Sequence, residues 1–222
     1  MLKTLFPNVN WFDLLIATGE TFYMTILALI GTLIFGIILG LLLYLTAPGG
    51  IWQHKTLNFI VAAFVNIFRA IPFLILILLL IPFTNFLIGT IRGQNAALPA
   101  LIIGSAPFYA RLVEIGLREV DKGVVEAAKS MGAKTSTIIF KVLLKESTPA
   151  LVSGLTVTAI ALISYTAVAG VIGAGGLGDF AYFHGFVRQD FDVMFVCTVL
   201  IVIIVFIFQF IGDALTNKLD KR

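Results

Sequence analysis

A chain of 222 residues has room for one ordinary domain or two small ones. Its composition excludes the ordinary kind: 59% of residues are hydrophobic and 12% charged, against roughly 45–50% and 25% in soluble proteins, with a mean hydropathy of +1.06. Lys+Arg 15 against Asp+Glu 12, a single cysteine and two distant histidines argue against a soluble enzyme, a nucleic-acid binder, an intrachain disulfide framework and a protein metal site, and leave an integral membrane protein.

Residues 1–20 do not read as a secretory signal, because Lys3 stands alone, Pro7 interrupts and no small-residue cleavage pattern follows the apolar residues 11–17. Trp11, Phe12 and Phe22 suit an interfacial segment leading into the first span. Leaving His54 aside, the stretches free of Asp, Glu, Lys and Arg are 21–54, 56–68, 70–91, 93–110, 147–178 and 193–212. Because about 20 apolar residues cross a hydrocarbon core of about 30 Å, the expected helices are 21–47, 57–84, 94–112, 149–172 and 192–212. That reading gives an all-α membrane protein with five transmembrane helices in a single transmembrane domain over 1–222.

In the first span, Gly36 and Gly40 stand four apart and predict close helix approach. The second reads as one long helix kinked at Pro72, or else as a surface helix ending at Arg69 with the true span after it. Arg69 is costly inside a bilayer, so it is expected to face a bundle interior, an aqueous cavity or the headgroups. Arg111 and Glu114, three apart, should pair on one helix face. Ser164, Tyr165 and Thr166 sit mid-span on the fourth helix, where polar side chains either line an aqueous interior or hydrogen-bond between helices. Cys197 reads as a small buried hydrophobe.

An odd number of spans puts the termini on opposite sides, and basic residues choose which. With the N-terminus out, the inner segments hold Lys55, Arg111, Arg118, Lys122, Lys129, Lys134, Lys141, Lys145, Lys218, Lys221 and Arg222, against Lys3, Arg92 and Arg188 outside. The expected orientation is N-terminus out, C-terminus in.

The connection over 111–148 is the long polar one. Asp121 is placed to cap a helix carrying Val124, Val125, Glu126, Ala127, Ala128 and Met131, and Gly132 to end it. Thr135 or Ser136 can cap a second helix with Ile138, Ile139, Val142 and Leu143 on one side. The pattern predicts a helix–turn–helix on the inner membrane surface; a plain amphipathic surface segment would look the same.

Glu126-Ala127-Ala128, three residues, Gly132, nine residues, then Val142-x-Leu144 resembles the EAA motif of ABC importer permeases, departing from it at Val142 and at Lys145, where that motif has Ile and Pro. The segments 65–73, 81–84 and 106–114, with Gly173-Ala174-Gly175-Gly176-Leu177-Gly178, are similar to methionine-type ABC permeases. That resemblance implies a type I importer permease of a bacterial inner membrane, multi-pass and homodimeric. Two cytoplasmic ATP-binding subunits would dock through Glu126, Ala127, Ala128, Met131 and Gly132, and an external substrate-binding lipoprotein would deliver methionine. Arg69, Ser164, Tyr165 and Thr166 become path candidates, with Gly173, Gly175, Gly176 and Gly178 forming an outer turn. Phosphonate and quaternary-amine permeases share fragments of these motifs. A secondary carrier working without ATP is the reading from another class, but such carriers usually have more spans or more intramembrane ionisable groups.

No G-x-x-x-x-G-K-[ST] is present, so no nucleotide site or other cofactor is expected on this chain. Gly173-x-Gly175-x-x-Gly178 fits a dinucleotide fingerprint in letters only, since a span precedes it where that fingerprint needs a strand. Close backbone packing or a re-entrant turn is the expected use, a flexible loop the alternative. Asp179, His184, Arg188, Asp190 and Asp192 form a polar group in the outer loop.

Overall fold

Prolines, caps and glycines decide where the helices of this chain begin and end. The computed structural model describes residues 9–220, so the expectations on Lys3, Pro7, Lys221 and Arg222 lie outside the described residues. Within them the elements are helical: α1 (Trp11–Thr46), α2 (Lys55–Ala70), α3 (Phe73–Leu79), α4 (Ile81–Ile88), α5 (Gln94–Arg118), α6 (Lys122–Ser130), α7 (Thr135–Val171), α8 (Gly176–Phe180) and α9 (Phe191–Leu219). α1, α5, α7 and α9 are long and apolar enough to cross a membrane among the described residues.

α1 begins ten residues before the expected start, and residues 11–20 are its first turns rather than a separate interfacial segment. The side-chain oxygen of Asn10 accepts the N–H of Phe12 at 3.2 Å and its amide donates to Asp13 at 2.6 Å, which satisfies the helix start. Glu20 does not end the apolar helix because it has a partner far along the chain, described below.

The single kinked helix expected over 57–84 is not found. α2 and α3 meet at an angle of 107°, far beyond a proline kink, and α4 follows as a third short piece. Pro72 lacks an N–H, and it forces the preceding Ile71 out of the helical region, to φ −78° and ψ 123°. Two successive residues leave the helix, so the chain turns instead of tilting. A fifth span exists only if this bent pair is counted as one.

α5 is the central helix, packed most extensively on α1 and also on α7, α2 and α3. In lipid the hydrophobic effect does not drive helices together, so close approach and interhelical hydrogen bonds carry the packing. Gly36 and Gly40 supply the approach on α1. A Cβ at Gly36 would stand 2.5 Å from the Tyr109 ring, and one at Gly40 would stand 2.6 Å from Val113 and 2.7 Å from the Ala110 carbonyl. The Thr32 and Ser105 hydroxyls bond across the same interface, and Tyr109 donates to the Leu151 carbonyl of α7 at 3.1 Å. Because that bond holds the tyrosine ring, Gly36→Ala is expected to destabilise the protein by about 1–2 kcal/mol. Gly19→Ala, where a Cβ meets nothing within 4 Å, is expected to be neutral or stabilising. Thermal unfolding in detergent checks both, and equal melting temperatures would remove the close-approach account. The outer faces of α1 and α9 expose Phe35, Ile38, Phe195, Phe206 and Phe210, which suits contact with lipid. Cys197 is fully buried among the start of α1, α7, α8 and α9.

Candidate functional site

Three places gather the residues singled out by sequence. The first is the connection between α5 and α7. Asp121 accepts the Gly123 N–H at 2.7 Å and starts α6. At its far end Gly132 has φ +75°, its N–H bonds the Lys129 carbonyl at 2.9 Å, and the Ala133 N–H bonds the Ala128 carbonyl at 3.1 Å. This paired arrangement closes a helix with a left-handed residue that glycine adopts without steric cost.

The second helix of this connection is not a separate surface element. It starts at Thr135 with Lys134 before it and no side-chain cap, passes through a π-helical stretch Ile138–Leu143, and continues into the span as α7. Ile138, Ile139 and Leu143 are buried with Leu45, Leu117 and Leu151, so the N-terminal end of α7 is anchored in the bundle.

On α6, Glu126 and Ala127 are exposed, as are Met131 and Gly132 beyond it, while Ala128 turns inward and is buried in the same cluster. Sequence reasoning grouped Ala127 and Ala128 on one contact face, but they point to opposite sides. It passed over Phe140, which is 67% exposed, and named Val124, 43% exposed, only as part of the helix and not of its contact surface. Phe140 was detectable as the large apolar residue out of step with Ile138, Ile139, Val142 and Leu143. Exposed Val124, Met131 and Phe140 on a polar connection are the pattern of a partner surface.

Beneath this connection lies an ion-paired clamp. Glu114 on α5 is buried, and it accepts from Arg111 at 2.5 Å and from Arg118 at 2.7 and 3.1 Å. The expected pair is present, with Arg118 as an additional partner.

The second place is the break between α2 and α3. Arg69, in the last turn of α2, lines a cleft of about 120 Å³ together with Phe68, Phe73, Gly104, Phe108 and Tyr165. Phe73 and Tyr165 stack with ring centroids 4.3 Å apart. Arg69 and Tyr165 are therefore brought together. Ser164 is exposed and is not among the residues lining this cleft. Thr166 is buried, with its hydroxyl bonding the Ile163 carbonyl of its own helix at 2.7 Å, and it is not among the residues lining this cleft.

The third place is the glycine turn after α7. Gly173, Gly175 and Gly176 have φ of +93°, +86° and +82°. Two backbone donors of the turn are taken by α1: the Gly176 N–H by Glu20 at 2.7 Å and the Leu177 N–H by Thr21 at 2.9 Å. A Cβ at Gly178 would collide with the Ala167 backbone, so the turn seats directly on α7. Asp179 sits in this connection, beyond the end of α7. Burial pushes its carboxyl above the ordinary range; His184 pulls it down, Glu20 pushes it up and the Gly175 N–H pulls it down. Of the polar group between α7 and α9, Asp179 and His184 line one cleft with Asp13 and Glu20; Arg188, Asp190 and Asp192 are not part of it. No cluster of metal-ligating side chains occurs among the described residues.

Comparison with known proteins follows from this geometry. The family model for the binding-protein-dependent transport system inner membrane component matches residues 32–222. The chain is 66% identical over 222 residues to the methionine import system permease protein MetP of Bacillus subtilis (strain 168), covering 100% of both chains. It is 45% identical over 151 residues to the D-methionine transport system permease protein MetI of Escherichia coli (strain K12), covering 68% of this chain and 70% of that one. A solved structure of the MetNI methionine ABC transporter in inward-facing conformations superposes with a TM-score of 0.93 at 42% identity, covering 95% of this chain and 98% of that chain.

Proposed function

Because the chain belongs to the family of binding-protein-dependent transport system inner membrane components, we propose that it is the permease subunit of an ATP-driven methionine importer in a bacterial cytoplasmic membrane. The observation that carries this reading is the full-length 66% identity to a methionine import permease.

The chain acts as one permease domain over 1–222, paired with a second copy of itself, two ATP-binding subunits and an external substrate-binding lipoprotein. The basic connection between α5 and α7 supports an orientation with the N-terminus outside and the C-terminus inside. ATP is hydrolysed on the separate subunits, so the chain by itself is not an enzyme.

The work of the permease is alternating access, in which the bundle exposes its path outward to the loaded binding protein and then inward. The connection transmits the motor's movement. Glu126 offers a charge, Ala127 a small seat, Met131 an adaptable apolar contact, and Gly132 fixes the turn. Ala128 holds the coupling helix to the bundle from inside. The π-helical stretch Ile138–Leu143 then passes the displacement into α7, which carries Tyr165. Arg69 and Tyr165 stand on the path, the glycine turn at its outer end.

The test is uptake of labelled methionine by proteoliposomes. Accumulation is expected only when the permease, its ATPase subunits, the binding protein and ATP are all present. Accumulation by the permease alone on an ion gradient would sink the reading in favour of a secondary carrier.

A further inference from the structure

We propose that the cleft at the break between α2 and α3 is a transient binding site for the transported amino acid, with Arg69 holding its carboxylate and the stacked Phe73–Tyr165 pair holding its thioether side chain. This rests on the methionine reading above and adds to it a point of contact within the membrane domain.

Four features of the cleft converge. Arg69 follows a charge-free stretch, 56–68, and lies about 21 Å along α2 from Lys55 at 1.5 Å per residue. Among the described residues its guanidinium makes no hydrogen bond or ion pair, in contrast to Arg111 and Arg118 on Glu114. An unpaired guanidinium within a membrane domain is costly, and a planar, two-pronged donor is the natural partner of a carboxylate.

The walls are aromatic: Phe68, Phe73, Phe108 and Tyr165. Aromatic faces and edges take polarisable thioether sulfur well. Gly104 lets Phe73 and Leu76 pack directly on α5, since a Cβ there would stand 3.2 Å from both, and this seats the Phe73 ring in the wall.

The third feature is the end of α2 itself. Phe68, Arg69 and Ile71 bring the carbonyl end of a broken helix to the cleft, and the last carbonyls of a helix have no intrahelical N–H. That negative end faces the ligand's ammonium, as discontinuous membrane helices do for cations. The fourth is size. At about 120 Å³ the cleft is well below the roughly 300–1,000 Å³ of pockets for drug-sized ligands, which limits the occupant to something like a single amino acid.

The experiment uses the permease assembled with its ATPase subunits in lipid vesicles, with crosslinked peptides mapped by mass spectrometry. Photo-methionine, whose diazirine stands where methionine has its thioether sulfur, is the probe of the carboxylate contact. Stronger competition by methionine than by norleucine reports the thioether contact. Label is expected on the segment 68–76 and around Tyr165. Excess methionine should remove it and methionine methyl ester, which lacks the carboxylate, should not. Arg69→Met is expected to lower labelling roughly tenfold to a hundredfold, the loss of one charge-assisted contact, with Arg69→Lys in between. ATP-driven uptake, measured on the same wild-type vesicles once the external binding protein is added, separates this site from the transport reading. Intact uptake with label confined to other segments overturns the site and leaves the transport reading standing, and so does equal competition by the methyl ester. Label at these segments without uptake supports the site and counts against the transport reading.

Discussion

Glu126→Lys is expected to lower ATP-driven methionine uptake at least about 30-fold while the protein still inserts and assembles as a bundle. Glu126 is exposed on α6 and takes no part in the buried cluster beneath it, so the change removes nothing that holds the fold. Its effect is expected at the surface proposed to meet the ATPase subunit, where reversing one well-seated charge costs roughly 2–5 kcal/mol. Gly132→Pro reaches the same result by another route. Proline requires φ near −65°, whereas Gly132 has φ +75° and donates its N–H to Lys129. The closing turn of α6 is lost and the coupling helix swings away from α7. The two variants separate when ATPase co-purification is measured beside uptake. Glu126→Lys should weaken the association itself, while Gly132→Pro should retain ATP hydrolysis that no longer drives import. Normal uptake in both would detach this connection from the mechanism.

The parts of the structure readable from sequence were those set by local chemistry. The charge-free runs marked α5 and α9, with α5 running six residues past its expected end. Asp121 and Gly132 marked both ends of α6, because capping oxygens and left-handed glycines act within a few residues of where they stand. Pro72 announced a disturbance but not its angle, because the 107° turn depends on how α3 beds onto α5 and α7. Glu20 misled for a related reason. A carboxylate ended the apolar run in sequence, but its partner is the Gly176 N–H, 156 residues away, so α1 continues through it.

The same distinction applies to the candidate sites. The spacing of Glu126 and Gly132 was visible, whereas the inward turn of Ala128 was not, since it follows from how α6 packs against the π-helical stretch Ile138–Leu143. Arg69 and Tyr165 were each singled out alone. Their meeting in one cleft requires the break at Pro72 to carry the end of α2 past Gly104 toward α7. Thr166 had the composition of a path residue, but its hydroxyl is occupied by its own helix.

Replacing Arg111 and Arg118 together is expected to cost about 3 kcal/mol, well beyond the sum of the two single changes. Glu114 is the reason. Its side chain is 4% exposed, whereas those of Arg111 and Arg118 are 48% and 56% exposed. Each arginine alone can still compensate the buried carboxylate, so Arg111→Ala and Arg118→Ala should each cost about 1 kcal/mol. With both gone, a charge is left buried without a partner, and the α5 end that carries Asp121 and the coupling helix is released. Adding Glu114→Leu to the double variant should recover most of the loss, because an apolar side chain needs no counter-charge. Thermal unfolding of the four variants in detergent measures the coupling directly. Strict additivity, or a triple variant no more stable than the double, would mean that the clamp does not hold the coupling connection. In that case the seating of Ile138, Ile139 and Leu143 in the bundle would have to hold it unaided.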